Sequence, residues 1–332
     1  MILFIYTSFS TFVREDYGIL KREFAIDRFQ YKQTKKILEH GLNQIKLFFW
    51  LINRISKAET IYIWFADYHS FLPVLFAKLF KKKSFIVLGG YDVTYIKEFN
   101  YGSFNNPLRA ALTKYSLKNA SMNLPVCDNI RTDALDRVAS AKTKIMYTGY
   151  SPKKFFRSEK PQQKTVLLVA GANSFQRLMI KGVDFYLKTA EKMPDVKFML
   201  VGCNRENVEA HFSIPKNVDV YEKVDQVELI KLYQKAQVYA QFSVREGLPN
   251  SVCEAMLCEC VPVGTNAGGI PIAIGDAGYI LQEKTIAEAE KCIREAFENY
   301  EEMSIKARKR IIENFPSTRR KNELLEIIKE ND

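Results

Sequence analysis

Short continuous apolar runs recur along the first half of the chain: ILFIY at 2–6, TIYIWFA at 60–66 and SFIVLGG at 84–90. Runs of this length predict strands buried on both faces of a parallel sheet. Between them, residues 33–57 and 71–80 carry apolar positions at helical spacing. The second half repeats the style, with TVLLVAG (165–171), VKFMLVG (196–202), VDVYEKV (218–224), VYAQFS (238–243) and VPVGTNAGG (261–269) as strands and 182–193, 225–236 and 250–259 as helices. Strand–helix alternation of this kind predicts a doubly wound α/β protein. The polar stretch 148–164, which carries Pro152 and Pro161, marks a seam. A helical tail over 285–313 breaks at NFPSTRR, and a last helix is expected over 318–330. There is no internal sequence repeat. The expectation is two Rossmann-like domains, 1–150 and 151–314, facing a cleft.

At 332 residues the chain has the length for two ordinary domains. Its six cysteines lie scattered in apolar runs, and Cys258 and Cys260 are too close for a CxxC metal pair. They are expected to be buried, reduced thiols, which places the protein in the cytoplasm. The start, MILFIYTSFSTFV, lacks a basic region and a small-residue cleavage pattern, so it reads as a strand and not as a signal peptide. No uninterrupted apolar stretch reaches the roughly 18 residues of a membrane span. Charge is lopsided. Residues 1–150 hold 22 Lys+Arg against 12 Asp+Glu, whereas 151–332 hold 27 against 26, so nearly all of the +11 excess lies in the first half. A nucleic-acid groove would interleave such basic residues with aromatics, a pattern that YKQTKK and LFKKK meet only loosely, and no nucleic acid is expected as a partner.

One segment carries candidate chemistry: REGLPNSVCEAM at 245–256. Pro249 suits a first helical turn, and Asn250 and Ser251 can cap it or leave amides free for an anion. Glu246 precedes the helix and Glu254 lies along its first turns. Carboxylates accept several hydroxyl hydrogen bonds, so this arrangement suits a ligand with a phosphate in the middle and hydroxyls at both ends, the shape of a nucleotide sugar. The alternative is a capped helix with two solvated acids. Gly171 and Gly268–Gly269 would let backbone approach such a ligand, with ordinary turns the alternative for the glycine pair.

Glu246 and Glu254 spaced eight apart, followed by EAM and VPVGTNAGG, resemble the retaining GT-B glycosyltransferases of the group 1 (family 4) type. The resemblance extends to RLMIKGVDFYLKTAE (177–191), ELIKLYQKAQVYAQFSVREGLPNS, YTGYSPKKFF and NFPSTRR…LLEIIKE, and covers most of 145–330. It implies that the C-terminal helix, 315–332, completes the first, acceptor-side domain. It also implies roles. Glu254 would accept ribose hydroxyls and Glu246 donor-sugar hydroxyls. The amides around Gly247 and Leu248, with Asn250 and Ser251, would meet sugar and diphosphate. Arg177 and Lys181 would bind the diphosphate and stabilise it as it leaves, because a departing nucleoside diphosphate gains charge. Backbone near Lys223 and Val224 would read the base. No Asp-x-Asp metal pair occurs in the chain, so no metal and no cofactor is expected, the nucleotide sugar being a substrate.

The first domain departs from the family pattern. Gly89 stands where a histidine is common, and Tyr91 or Asp92 is the candidate to cover that role. His69 is a second acceptor-side candidate, with a packed core position as the alternative. Ser8, Ser10 and Thr11 replace the usual glycine pair of the first loop. Glu259 stands at a usual glycine and Ile272 at a usual glutamate. The reading is a retaining transferase that moves a sugar, from UDP-sugar first and GDP-mannose second, to a glycan or lipid-linked saccharide in cell-surface polysaccharide or glycoconjugate synthesis. A GT-B nucleotide-sugar epimerase, a phosphorolytic enzyme and a non-catalytic nucleotide-sugar-binding relative are the alternatives. The segment 41–57, with Lys46, Arg54 and Lys57, and the cluster Lys78, Lys81, Lys82 and Lys83 suggest peripheral docking on an anionic inner membrane face; packing of 41–57 on the sheet is the alternative.

Overall fold

The computed structural model describes residues 1–34 and 36–330. The chain divides into two compact units, Met1–Thr148 together with the segment from Thr318, and Gly149–Ser317.

The first unit runs β1 (Ile2–Tyr6), α1 (Thr11–Lys21), β2 (Ile26–Gln30), α2 (Ile37–Ile52), β3 (Thr60–Trp64), α3 (Tyr68–Leu79), β4 (Lys83–Leu88), α4 (Pro107–Asn119), β5 (Met122–Pro125) and α5 (Asp128–Arg137). Its sheet is parallel, in the order β2-β1-β3-β4-β5. β1 and β3 are buried along their whole length, which is why their sequences are unbroken apolar runs. The order changes direction between β1 and β3, and the loops after those strands therefore open a crevice at their carboxyl ends. α2 packs against α3 and α3 against α4, as one helical layer.

The second unit runs β6 (Thr165–Val169), α6 (Phe175–Ile180), α7 (Val183–Lys192), β7 (Lys197–Val201), α8 (Arg205–Glu209), β8 (Val218–Tyr221), α9 (Gln226–Lys235), β9 (Val238–Gln241), α10 (Asn250–Leu257), β10 (Val261–Thr265), α11 (Ile270–Ile274), β11 (Tyr279–Leu281), α12 (Ile286–Glu298) and α13 (Tyr300–Asn314). Its parallel sheet has the order β11-β10-β9-β6-β7-β8, with the switch between β6 and β9. The last helix, α14 (Ser317–Lys329), is fixed to the first unit by a buried ion pair: Arg320 Nη2 lies 2.6 Å from Asp16 Oδ2, to which the Tyr62 hydroxyl also donates at 2.7 Å.

Three strands depart from the sequence pattern. All are edge strands: β2 (IDRFQ) has no fully buried residue and β11 (YIL) one, whereas β5 (MNLP) is mostly buried but short, with Asn123 and Pro125 breaking its apolar run. The helical tail expected over 285–313 is two helices, with the break at Asn299. The stretch expected as a helix over 33–57 is helical from 37 to 52, followed by a single 3₁₀ turn at Ile55–Lys57. All six cysteines are free and buried.

Candidate active site

In the second unit the loops at the switch between β6 and β9 bring Lys181 and Glu246 together. Lys181 closes α6, and its Nζ lies 2.6 Å from Glu246 Oε1. The same carboxylate oxygen accepts from the Ser243 hydroxyl at 2.7 Å and from Gln241 Nε2 at 3.1 Å. Both partners of the pair are mostly buried, with side chains 23% and 14% exposed, so the charges interact with little screening. Gln241 is the last residue of β9, and its Oε1 in turn accepts from the Tyr239 hydroxyl at 3.2 Å and the Ser251 hydroxyl at 3.4 Å. The acid is thus held by polar groups from its own strand end. The sequence reading named neither Gln241 nor Ser243; a polar residue ending a buried strand was the available signal.

Backbone geometry explains the glycines around this pair. Gly182 has φ +68°, and a Cβ there would fall 2.2 Å from the Phe242 carbonyl oxygen. The Lys-Gly sequence therefore lets the end of α6 lie directly on the end of β9. Gly269 donates its amide to the Glu246 carbonyl at 3.1 Å, and a Cβ on it would sit 2.1 Å from the Gly247 carbonyl oxygen. The glycine pair at 268–269 supports the Glu246–Gly247–Leu248 loop from behind. Gly171 differs: with φ +57° it has open space where a side chain would be. It lines a cavity of about 500 Å³ with Val169, Asn173, Gly202, Lys223 and Val224, at the carboxyl ends of β6, β7 and β8.

α10 starts at Asn250, where the sequence pattern puts it, and ends two residues short of the expected 259. Pro249 is the residue before the helix, and neither Asn250 nor Ser251 acts as a side-chain cap. Asn250 Oδ1 accepts from the Tyr150 hydroxyl at 2.7 Å. The first amides of α10 have no intrahelical partner, as at any helix start, and can meet an anion. Glu254 is partly buried and its Oε2 accepts from the buried Tyr233 hydroxyl at 3.1 Å. Burial and the nearby Glu254 carboxylate hold the Tyr233 phenol well above its ordinary range, so it remains a donor. Arg177 lies four residues before Lys181, on the same face of α6, and is exposed.

The first-unit candidates take different positions. His69 is 1% exposed, with Nε2 2.8 Å from the Trp64 carbonyl oxygen, and burial lowers its pKa. It is packed in the core of its unit and does not face an acceptor. Asp92 is also buried and accepts from the amides of Gly90 (2.7 Å), Gly89 (3.2 Å) and Ala66 (3.3 Å). Burial outweighs those bonds and pushes its carboxyl up to about 6. Its place is to tie the loops after β3 and β4 together. Tyr91 is exposed, and its hydroxyl accepts from Arg109 Nη1 at 2.8 Å. A Cβ at Gly89 would lie 2.4 Å from the Phe65 ring, so a side chain there would require that ring to shift. Phe65 has φ +71°, costly for a bulky residue, and its ring is grouped with Phe12 and Trp64. Ser10 Oγ and Trp64 Nε1 are buried without a hydrogen-bond partner among the described residues.

The two second-unit departures also acquire a physical reading. Glu259 has φ +62°, the left-handed conformation that explains a family glycine, and its carboxylate lies 3.8 Å from Arg157 Nε. Ile272 contributes its carbonyl, which accepts from Arg310 at 2.8 Å.

Residues 151–317 match the model of the glycosyl transferases group 1. The chain belongs to this family. Over 162 residues it is 31% identical to a trehalose synthase from Thermococcus litoralis, covering 44% of this chain and 39% of that protein. The chain thus spans about two fifths of the length of the curated relatives it matches. Among solved structures, the sucrose-phosphate synthase (tll1590) from Thermosynechococcus elongatus superposes with TM-score 0.82 at 13% identity, over 99% of this chain and 98% of that one. Anabaena Alr3699/HepE in complex with UDP-glucose superposes with TM-score 0.75 at 13% identity, over 99% of both chains. At such identities the likeness is one of fold, and the fold is that of the GT-B glycosyltransferases.

Proposed function

We propose that this group 1 family member is a retaining glycosyltransferase of the family 4 type. In this reading it moves a sugar from a UDP-sugar to a glycan or lipid-linked saccharide in cell-surface polysaccharide or glycoconjugate synthesis. The observation that carries the reading is the Lys181–Glu246 pair at the switch point, where a doubly wound sheet binds its ligand. The preference for a UDP-sugar is supported by the UDP-glucose complex of HepE, which has the same fold.

The chemistry follows from the charges. The cavity beside Gly171 and Val224 takes the base, and Glu254 the ribose hydroxyls. The diphosphate lies toward Arg177, Lys181 and the free amides at the start of α10. Donor binding draws Lys181 from Glu246 to the diphosphate, and frees Glu246 for the hydroxyls of the donor sugar. As the bond from C1 to the phosphate oxygen breaks, its electron pair passes to that oxygen. Lys181 and Arg177, drawn onto the diphosphate when the donor binds, meet the growing charge on that oxygen. The acceptor hydroxyl bonds to C1 on the face the phosphate leaves, and its proton passes to the departing phosphate oxygen, so no protein base is required. The two cations supply the charge a bound metal would supply, and turnover in this scheme needs neither metal nor cofactor. In the first unit, Tyr91, exposed in the loop after β4, suits the hydroxyl-rich acceptor. The six buried free thiols suit a cytoplasmic site of action, with the acceptor met at the inner face of the membrane.

A thermal-shift series with UDP, GDP, ADP and dTDP tests the reading, because a ligand of the folded state raises its melting point. UDP is expected to give the largest shift, unaltered by EDTA. No shift with any of the four removes the proposed function. Conversion of the donor alone into a new nucleotide sugar would make the protein an epimerase instead.

A further inference from the structure

α2 has two apolar faces. Leu47 and Leu51 are fully buried, and α2 packs against α3. Leu38, Leu42, Ile45, Phe49 and Ile52, spaced alternately four and three apart, form a second stripe, and each is between 46% and 84% exposed. The stripe extends off the helix. The Phe48 ring lies 5.6 Å from both Phe49 and Phe76, and Phe76 stacks on Phe80 at 5.8 Å, where Phe80 and Leu79 are again exposed. A contiguous apolar surface of this length marks an interaction site.

The charges around it identify the partner. Lys46, Lys57, Lys78, Lys81 and Lys83 are exposed at its margins, and the turn at Lys81, with φ +53°, carries the chain from Phe80 into the lysine cluster. On α4, Lys114 and Lys118 line a groove of about 680 Å³ together with Lys78 and Arg137. Glu39 is the one acidic residue on α2, α3 and α4, and Lys36 already pairs with it at 3.1 Å. A second copy of the chain seated on this face would bring lysines against lysines. A bilayer with anionic headgroups offers acyl chains to the stripe and phosphates to its basic border. Among the described residues no helix is long and apolar enough to cross a membrane.

We propose that the α2–α3 edge is a monotopic membrane-docking face, with α2 lying in the plane of an anionic leaflet, its stripe Leu38-Leu42-Ile45-Phe49-Ile52 inserted and the lysines of α3 and α4 on lipid phosphates. The proposal rests on the functional reading above only for its purpose, delivery of a membrane-held acceptor. It differs from attraction by surface charge in requiring insertion, so salt weakens the attachment without abolishing it.

The test is co-sedimentation of the full chain with vesicles of phosphatidylcholine alone and of phosphatidylcholine with 30% phosphatidylglycerol, at low and at 0.5 M NaCl. The wild type is expected to bind the anionic vesicles at low salt and to retain measurable binding at high salt. Leu42→Ser, Ile45→Ser and Phe49→Ser together should lower the partition coefficient at least tenfold and remove the salt-resistant part. Lys81→Glu, Lys82→Glu and Lys83→Glu together should remove the salt-sensitive part. All six positions are at the surface, and an unchanged circular dichroism spectrum and UDP melting shift would verify that the variants fold. Absence of vesicle binding, or binding that 0.5 M NaCl abolishes in the wild type, overturns insertion. A dimer in light scattering that the serine variant converts to monomer overturns the membrane as occupant. A UDP shift without vesicle binding defeats this proposal alone; vesicle binding without any nucleotide shift defeats the transferase reading alone.

Discussion

Gly182 lies so close to Phe242 that a Cβ on it would fall 2.2 Å from the Phe242 carbonyl oxygen. That approach sets the position of Lys181 over the end of β9, and hence its 2.6 Å contact with Glu246. Gly182→Ala meets both this backbone clash and the positive φ, each of which costs roughly 1–2 kcal/mol or more. Urea denaturation is expected to show a loss of at least 2 kcal/mol, together with weaker UDP binding in the folded protein. Wild-type stability in this variant would mean that the α6–β9 approach is not held rigidly.

Glu259 offers the opposite case. A non-glycine residue in the left-handed region costs about 1–2 kcal/mol, and the Arg157 partner at 3.8 Å is also held by the carbonyls of Gln234 and Ala236. Against this, glycine loses about 0.5–1 kcal/mol through the entropy of the unfolded chain. Glu259→Gly is therefore expected to be neutral to stabilising, by up to about 1 kcal/mol, in a urea melt. A clear loss would show that the Arg157 contact outweighs the strain.

Asp92 makes stability depend on pH. Burial raises its carboxyl from 3.8 to about 6 in the folded protein. The folded state then holds the proton more tightly than the unfolded state. The associated stability is complete below about 3.8 and is lost as pH rises through about 6, by on the order of 3 kcal/mol. Asp92→Asn cannot titrate. The stability of wild type minus that of Asp92→Asn should fall between pH 4 and 7 and be level above. A difference that does not change across that range would place the carboxyl in a wetter or differently bonded site.

Much of the architecture was legible in the sequence because central parallel strands must be apolar on both faces. β1, β3, β4, β6, β7 and β9 announce themselves in this way. β2, β5 and β11 do not, since the edge strand IDRFQ has no fully buried residue and MNLP and YIL are too short to leave a periodic trace. In the site, Lys181 and Glu246 stand 65 residues apart; Glu246 is legible as a carboxylate ahead of a helix start, Lys181 only through the family resemblance. Nothing in their spacing required them to touch. Gln241 and Ser243 stayed hidden because their importance lies in which oxygen they reach. Asp92 and His69 show the converse limit: a polar residue beside a glycine-rich loop or an apolar run reads as chemistry, whereas backbone amides and a carbonyl satisfy these two inside the fold.

Glu254 tests the nucleotide half of the site. Its Oε2 already holds the Tyr233 hydroxyl at 3.1 Å, which leaves the carboxylate fixed for further donors. Glu254→Ala should weaken UDP binding in calorimetry by about 1–3 kcal/mol, the range for lost hydrogen bonds to a charged group. Tyr233→Phe should cost less, since it removes only the orienting bond. Equal UDP affinity in wild type and Glu254→Ala would contradict the assignment of Glu254 to the ribose.

The central claim is that Lys181 stabilises the diphosphate as it departs. The direct measurement is UDP release from a UDP-sugar under single-turnover conditions, in the presence of EDTA, for wild type and Lys181→Ala. The predicted result is undiminished release by wild type and a rate on the order of a hundredfold lower in the variant, as for loss of one preorganised charge-stabilising group. Full activity in Lys181→Ala, or none in wild type once EDTA is added, would contradict the account.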